Sequence, residues 1–252
     1  MIDTHCHLNS EQLLEKVEEV MNRAKEAGVT RFIIPGYDLN TSKIALELAH
    51  KYPNCYAALG FHPTEIKGMK DEYLWLKENV NDDKVVAIGE CGYDFHWDVT
   101  TPEEQEEAFI KQIEIAKSVG KPLIIHSREA IQKTFDTLKK YNASIVGGVM
   151  HAYSGSLEMA KEFIKEGFYL GIGGTLTFKN AKEPVKIVEE IDIKYLLSET
   201  DSPYLTPHPY RGKQNEPYYM VLVVEKIAAI KNETKEQIEK NIDENVKKIF
   251  KI

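Results

Sequence analysis

Residues 3–7 read Asp-Thr-His-Cys-His, the densest group of metal-ligand residue types in the chain. In an extended strand, residues two positions apart share a face, so Asp3, His5 and His7 point the same way and Cys6 points away. Two imidazoles on one face at the end of a strand can bind one metal ion, and Asp3 is placed to orient a ring nitrogen. A His-X-His pair alone is weak evidence, because two surface or core histidines produce the same pattern.

Further candidate metal ligands stand where other predicted strands end. The full set is His5, His7, Glu90, His126, His151 and Asp201. Six ligands exceed the three or four that usually hold one zinc ion, and they suit two cations bridged by a carboxylate. Glu90 comes from the middle of the strand order and is the natural bridge. Without a cation, such a buried cluster would be poorly satisfied.

Between these residues, short β-branched runs alternate with amphipathic stretches of helical spacing. The runs predict strands at residues 1–5, 29–34, 55–59, 84–88, 123–125, 145–150, 168–172 and 195–197. The amphipathic stretches predict helices over residues 13–24, 41–51, 71–79, 102–119, 129–140, 157–165, 183–190 and 218–230. Strands that are each followed by a helix predict a parallel sheet covered by helices.

Eight such units in 252 residues match the size of a (β/α)8 TIM barrel, and an open doubly wound sheet is the alternative. The polar residues separate the two folds. The eight strands end at or just before His7, Gly36, His62, Glu90, His126, His151, Gly173 and Asp201, and six of these eight are His, Glu or Asp. In a barrel all strand ends converge on one mouth, whereas an open sheet separates the first from the last. The sequence therefore predicts an α/β TIM barrel as a single domain over residues 1–252.

The ends of two helices are well marked. Thr101 and Glu104 form a capping-box pattern, Pro occupies the first helical position, and Gly120 follows the last one. Residues 235–250 carry apolar side chains at helical spacing after a second cap at Thr234. We expect this C-terminal helix to pack against the barrel without taking part in chemistry.

A proline-rich loop over residues 202–219 follows Asp201 and holds four of the ten prolines in the chain. It also carries Arg211 and Lys213. A stiff basic loop beside a strand-end carboxylate predicts part of a substrate wall, and a long connector is the alternative.

Charge and composition exclude several classes of protein. The chain has 32 Lys and Arg against 40 Asp and Glu, and this net charge of −8 argues against coating nucleic acid through bulk positive charge. Three cysteines without a Cys-X-X-Cys pair fit neither a disulfide framework nor a zinc knuckle, which predicts reduced thiols. Residues 3–7 leave no room for a preceding signal peptide, and no apolar run approaches the roughly 20 residues of a membrane span. We expect a soluble cytoplasmic protein without an obligate protein partner.

Seven segments of the chain resemble, in order, the motifs of the TatD family of metal-dependent deoxyribonucleases in the amidohydrolase superfamily. They are residues 3–8 (DTHCHL), 60–63 (GFHP), 88–94 (IGECGYD), 125–128 (IHSR), 151–155 (HAYSG), 199–204 (ETDSPY) and the late loop 209–217 (PYRGKQNEP). The likeness covers essentially the whole chain, and an ordered set of this kind is highly specific.

The resemblance implies a TIM barrel that binds two divalent cations, of zinc, manganese or magnesium. It assigns one cation to His5, His7, Glu90 and Asp201, and the other to Glu90, His126 and His151. It makes His62 an additional pocket histidine that contacts a phosphate or a third cation, although a structural role in the turn before Pro63 is nearly as well supported. Arg128 and Arg211 are implied to bind phosphate, with a structural ion pair as the alternative for Arg128.

The implied activity is hydrolysis of DNA phosphodiesters by a metal-activated water, with Glu90, Asp201 and His62 as catalytic residues. Asp201 orients the water and takes its proton, and the enzyme contacts only a few nucleotides at an end. A hydrolase of a small ester, amide or lactone is the main alternative, although many such barrels bridge their metals with a carboxylated lysine where this chain has Glu90. A catalytically silent metal-binding protein is disfavoured by the complete ligand set.

Overall fold

Eight strands pair in parallel in the order in which they occur in the chain, in a computed structural model that describes residues 1–69 and 72–252. The strands are β1 (Ile2–Asp3), β2 (Arg31–Pro35), β3 (Cys55–Leu59), β4 (Val85–Asp94), β5 (Leu123–Arg128), β6 (Gly148–Met150), β7 (Phe168–Ile172) and β8 (Leu196–Ser198). The ring closes between β1 and β8, where Thr4 N–H donates to the Ser198 carbonyl over 3.2 Å and Asp201 N–H donates to the His5 carbonyl over 2.9 Å. The predicted TIM barrel is confirmed.

Helices surround the barrel and cover the outer face of its strands. They are α1 (Glu11–Leu14), α2 (Val17–Glu26), α3 (Leu39–Lys51), α4 (Glu72–Asn79), α5 (Pro102–Val119), α6 (Ile131–Lys140), α7 (Leu157–Lys165), α8 (Lys182–Glu190), α9 (Met220–Lys231) and α10 (Lys235–Phe250). All ten residues of β4 are buried, as expected for a strand covered on both faces. The helix predicted over residues 71–79 corresponds to α4, and its first predicted residue lies outside the described residues.

The predicted helix ends of α5 and α10 are confirmed. The Thr101 N–H donates to the Glu104 carboxylate over 2.8 Å, and the Glu104 N–H donates back to the Thr101 hydroxyl over 3.2 Å. Gly120 then ends α5 in the left-handed region at a φ of 65°. Thr234 caps α10, which packs against α9 and β8 as predicted.

Two strands run further than the sequence predicts. β4 continues to Asp94 and β5 to Arg128, because the two strands keep pairing beyond Cys91 and its partner Ile125. Glu90 and His126 therefore lie inside strands rather than just past their ends. Gly92 permits this close approach, since a Cβ there would lie 2.0 Å from the His126 carbonyl oxygen and its φ is 138°.

The start of the chain also differs from the prediction. Only Ile2–Asp3 forms a regular strand, because the next residues turn to pair with the segment after β8, including a parallel bridge between Cys6 and Ser202. The single helix predicted over residues 13–24 is divided into α1 and α2, with Lys16 at a φ of −118° between them.

Within the described residues, no helix is both long enough and apolar enough to cross a bilayer.

Candidate metal centre

A cavity of about 270 Å³ opens at the carboxyl ends of the strands, where the active sites of TIM barrels lie. Its lining consists of His7, Tyr37, His62, Glu65, Glu90, His126, His151, Asp201 and Tyr204. Five of the six candidate ligands are in this lining. The sixth, His5, is buried behind them with its ring stacked on His151 at a centroid distance of 3.4 Å. The structure therefore brings all six together.

One group of donor atoms lies on the Oε2 side of Glu90. His5 Nε2 lies 3.1 Å from His7 Nε2 and 3.3 Å from Glu90 Oε2. Asp201 Oδ1 lies 3.4 Å from His7 Nε2 and 3.7 Å from His5 Nε2. Four ligand atoms about 2.1 Å from one tetrahedral ion lie about 3.4 Å from each other. The separations and the nitrogen–oxygen donor set of His5, His7 and Glu90 fit one divalent cation, and Asp201 lies close to both imidazoles.

The second group lies on the Oε1 side of Glu90. His126 Nδ1 lies 2.9 Å from this oxygen, and the other ring nitrogen lies 2.9 Å from Asp94 Oδ2. His62 Nε2 and His151 Nε2 are further from Glu90 Oε1, at 3.8 and 3.9 Å. The two oxygens of one buried carboxylate thus face two different sets of imidazoles.

The electrostatics of the cluster keep its carboxylates ionised. Burial favours the neutral form of Glu90, but the imidazoles of His5 and His126 outweigh burial and hold its pKa well below the usual range. The pKa of Asp201 is lowered in the same way, against burial, chiefly by His151. Burial together with the neighbouring His126 lowers the pKa of His62 to about 3, so this ring is neutral. A neutral imidazole retains the lone pair that a ligand or proton acceptor needs.

Asp3 does not orient a ring nitrogen, which corrects the sequence-based expectation. Its Oδ1 accepts the backbone N–H of His5 over 3.3 Å and that of Thr200 over 3.0 Å, and its other oxygen accepts the Thr200 hydroxyl. Burial raises the pKa of Asp3 to about 8. Asp3 therefore fixes the backbone where the two ends of the barrel meet, and His5 Nδ1 has no hydrogen-bond partner among the described residues.

Glu199 is the site residue to which the sequence analysis gave no role. Its Oε1 lies 2.9 Å from His151 Nδ1 and accepts the Ala152 N–H over 2.6 Å, and the side chain is fully buried. Gly171 makes room for it, because a Cβ there would lie 2.3 Å from Glu199 Oε2. Burial favours the neutral form of His151, but the carboxylates of Glu199 and Asp201 outweigh burial and raise the pKa of His151 to about 10. The available signal was a second carboxylate just after β8, two residues before the candidate ligand Asp201.

His62 is held by its own turn and also lines the cavity. Its Nδ1 lies 2.7 Å from the Thr64 hydroxyl and accepts the Thr64 N–H over 3.2 Å, which ties the ring to its own turn. Its Nε2 faces the cavity and Glu90. The turn thus holds the ring so that one nitrogen is presented to whatever occupies the cavity.

The two predicted phosphate-binding arginines lie outside the cavity lining. Arg128 is exposed, with its guanidinium carbon 5.4 Å from the centroid of the Trp97 ring. Arg211, in the loop after β8, is also exposed and lies 4.0 Å above the Phe178 ring. The structure therefore does not bring either arginine into the lining of the cavity that holds the candidate ligands.

The remaining histidines and the cysteines are not part of the cluster. His50 pairs with Asp82 over 2.9 Å at the surface, and His208 is exposed. Cys6 and Cys91 are buried, and their thiols point to backbone carbonyls rather than to the donor atoms. Strand alternation predicted this orientation for the Cys6 thiol.

Comparison with known proteins decides the family. A profile of TatD-related DNases matches residues 2–251. The chain belongs to this family. Among TatD-related proteins, a metal-dependent hydrolase of Bacillus subtilis is 47% identical over 253 aligned positions, which cover 100% of this chain and 99% of the relative. A 3'-5' ssDNA/RNA exonuclease of Escherichia fergusonii is 33% identical and covers 100% of this chain and 99% of its own.

The fold of the TatD-related family also matches. A crystal structure of a TatD homologue from Escherichia coli aligns with a TM-score of 0.94 at 31% identity, over 100% of this chain and 98% of that one. The chain is thus a TatD-like metal-dependent hydrolase, and the family predicted from the sequence motifs is confirmed.

Proposed function

We propose that this protein hydrolyses phosphodiester bonds of single-stranded DNA from an end, with two divalent cations of zinc, manganese or magnesium. The observation that carries the proposal is the carboxylate of Glu90, whose two oxygens face separate sets of donor atoms in one cavity. Bridged cation pairs are typical of enzymes that cleave phosphodiesters. Relatives that cleave single-stranded DNA and RNA from the 3' end support the choice of substrate.

His5, His7, Glu90 and Asp201 would hold one cation, and Glu90, His126 and His151 the other. The cations, when bound, supply positive charge to the phosphate oxygens and lower the pKa of a nearby water. Most of the donor side chains are buried, which strengthens these interactions. Its volume of about 270 Å³ suits one phosphate and part of a sugar rather than a duplex.

The chain's own side chains orient and deprotonate the attacking water. Asp201 is partly open to the cavity and ionised, so its carboxylate accepts the proton of the water. His62 presents Nε2 to the same space and contacts the phosphate or the leaving group. Arg128 and Arg211 hold phosphates further along the strand.

A single domain over residues 1–252 accounts for this arrangement. The ligands come from both ends of the chain, and α10 packs on β8, the strand that precedes Asp201. The whole barrel is therefore needed to assemble the site.

The test combines metal analysis with substrate assays on the purified protein. We expect bound divalent metal, cleavage of labelled single-stranded DNA that EDTA abolishes, and little turnover of an ester, amide and lactone panel. Preferential turnover of the panel would mean that the protein is a hydrolase of small molecules. If the protein bound no metal and cleaved no substrate with any divalent ion, it would be a catalytically silent member of the family. For substitutions of the cluster carboxylates Glu90 and Asp201, the matched control is Asp82→Asn. Asp82 also pairs with a histidine, over 2.9 Å, but it lies outside the cavity.

A further inference from the structure

The loop that follows β4 exposes aromatic side chains. Trp97 is 53% exposed and Phe95 is 37% exposed, whereas large apolar side chains elsewhere are mostly buried. Val99 is also 48% exposed, so this one loop places three apolar side chains at the surface, and a grouped apolar surface is typical of an interaction site. Nothing in the proposed chemistry uses Trp97.

Asp94 connects this loop to the metal centre. Its Oδ2 lies 2.9 Å from His126 Nε2, and its Oδ1 accepts the N–H groups of His96 over 3.0 Å and Trp97 over 3.2 Å. One buried carboxylate therefore separates the Trp97 backbone from a candidate metal ligand. The loop that carries Trp97 is therefore anchored to the candidate metal centre.

The loop after β5 completes the same surface. Phe95 N–H donates to the Arg128 carbonyl over 3.0 Å, and His96 Nδ1 lies 2.7 Å from the Glu129 carboxylate. The Arg128 guanidinium lies 5.4 Å from the Trp97 ring and forms no ion pair with any described residue. Since Glu129 is paired with His96, the positive charge of Arg128 is available to an anion.

We propose that Trp97 and Arg128 form a base-stacking site for an unpaired nucleobase of the strand whose end occupies the cavity. Any base can stack on the exposed part of the indole, and the guanidinium that lies over the ring can meet the adjoining phosphate. The inference rests on the proposed function and adds to it a second contact on the polynucleotide, one that is independent of base sequence. It also explains how a chain of net charge −8 holds DNA through a small local surface.

Substrate length tests the site. For Trp97→Ala we expect KM for a 12-nucleotide single strand to rise about 5- to 100-fold with kcat little changed, and a much smaller effect on a dinucleotide. Trp97→Phe should restore most of the affinity because it keeps a ring. A 12-mer with abasic positions beyond the terminal nucleotides should bind the unchanged protein as weakly as the intact 12-mer binds Trp97→Ala.

The matched control is Tyr195→Ala, which removes a ring with a lysine 5.0 Å above it just before β8, at the opposite end of the barrel. This control should leave KM for the 12-mer unchanged. Thermal unfolding of each variant shows whether the fold is intact.

A direct measurement uses fluorescence, because the chain has two tryptophans and Trp75→Phe leaves Trp97 as the only one. We expect the 12-mer to quench this emission and the abasic 12-mer not to. Equal KM for Trp97→Ala and the unchanged protein, or equal losses on dinucleotide and 12-mer, would overturn the stacking site while leaving the nuclease assignment in place. Failure of the unchanged protein to cleave any oligonucleotide would instead reject the proposed function.

Discussion

The donors on the two sides of Glu90 are held in different ways. On the Oε2 side, atoms of His5, His7 and Asp201 lie 3.1 to 3.7 Å apart, and the Nδ1 atoms of the two imidazoles have no hydrogen-bond partner among the described residues. On the Oε1 side, both ring nitrogens of His126 already have a partner, since Nδ1 contacts Glu90 and Nε2 contacts Asp94. A carboxylate from outside the cluster, Asp94, thus holds the imidazole of His126, whereas the imidazole nitrogens on the Oε2 side contact, within the described part of the chain, only other members of the cluster. Under the proposed two-cation function, we therefore expect the cation on the Oε1 side to be held more weakly.

Removing the shared carboxylate should have the largest effect. Glu90→Gln is expected to lower the rate of DNA cleavage by at least about a thousand-fold, because it weakens both cation sites together. Cleavage rate and metal content per protein, measured side by side, check this. If the variant kept near-normal activity, Glu90 would not bridge two cations.

Substitutions on each side should separate the two sites. Asp201→Asn should lose the tightly held cation, whereas His126→Asn should keep it and lose only a second cation that binds at higher concentration. Each should lower the cleavage rate by roughly a hundred-fold or more. Isothermal titration of the metal-free proteins distinguishes them, and identical binding curves for both variants would contradict the asymmetry.

The carboxylates that orient the histidines should have an intermediate effect. Glu199→Gln acts on His151 and Asp94→Asn acts on His126, and each is expected to cost about 10- to 100-fold in metal affinity or activity. Asp94→Asn should affect the weaker site only. Metal affinity measured for each variant checks this. An unchanged affinity would mean that Glu199 and Asp94 only form structural hydrogen bonds.

The smallest effect on activity is expected at the opposite end of the barrel. The ammonium of Lys121 donates to the carbonyls of Val80, Asp82 and Val85. Lys121→Met should therefore lower the free energy of unfolding by about 2 kcal/mol and leave kcat unchanged. Urea denaturation with an activity assay checks both, with the exposed Lys140→Met as the control.

The sequence predicts most of the fold, because each helix and each strand carries a local signal. The bounds of β3, β7, α5, α7 and α10 agree with their patterns residue by residue. The extension of β4 and β5 was missed, since Glu90 and His126 interrupt the apolar runs and only the pairing partner shows that the strands continue. The role of Asp3 was also wrong, because its partner Thr200 is 197 residues away and strand alternation describes only near neighbours.

The sequence alone predicts that the six candidate ligands lie close together, because each stands at or near the end of a predicted strand. It does not predict their division between the two oxygens of Glu90, because this division depends on side-chain rotamers. Nor does the sequence indicate that Arg128 would lie over Trp97 rather than in the cavity.

Closure of the barrel between β1 and β8 has a consequence for biosynthesis. His5 and His7 emerge from the ribosome almost two hundred residues before Asp201, and α10, which packs on β8, follows later still. At about 5 to 20 residues per second, roughly 10 to 40 seconds separate the first imidazoles of the cluster from its last carboxylate. The donor set therefore cannot form while the barrel is being synthesised, and it assembles only once β8 has joined β1.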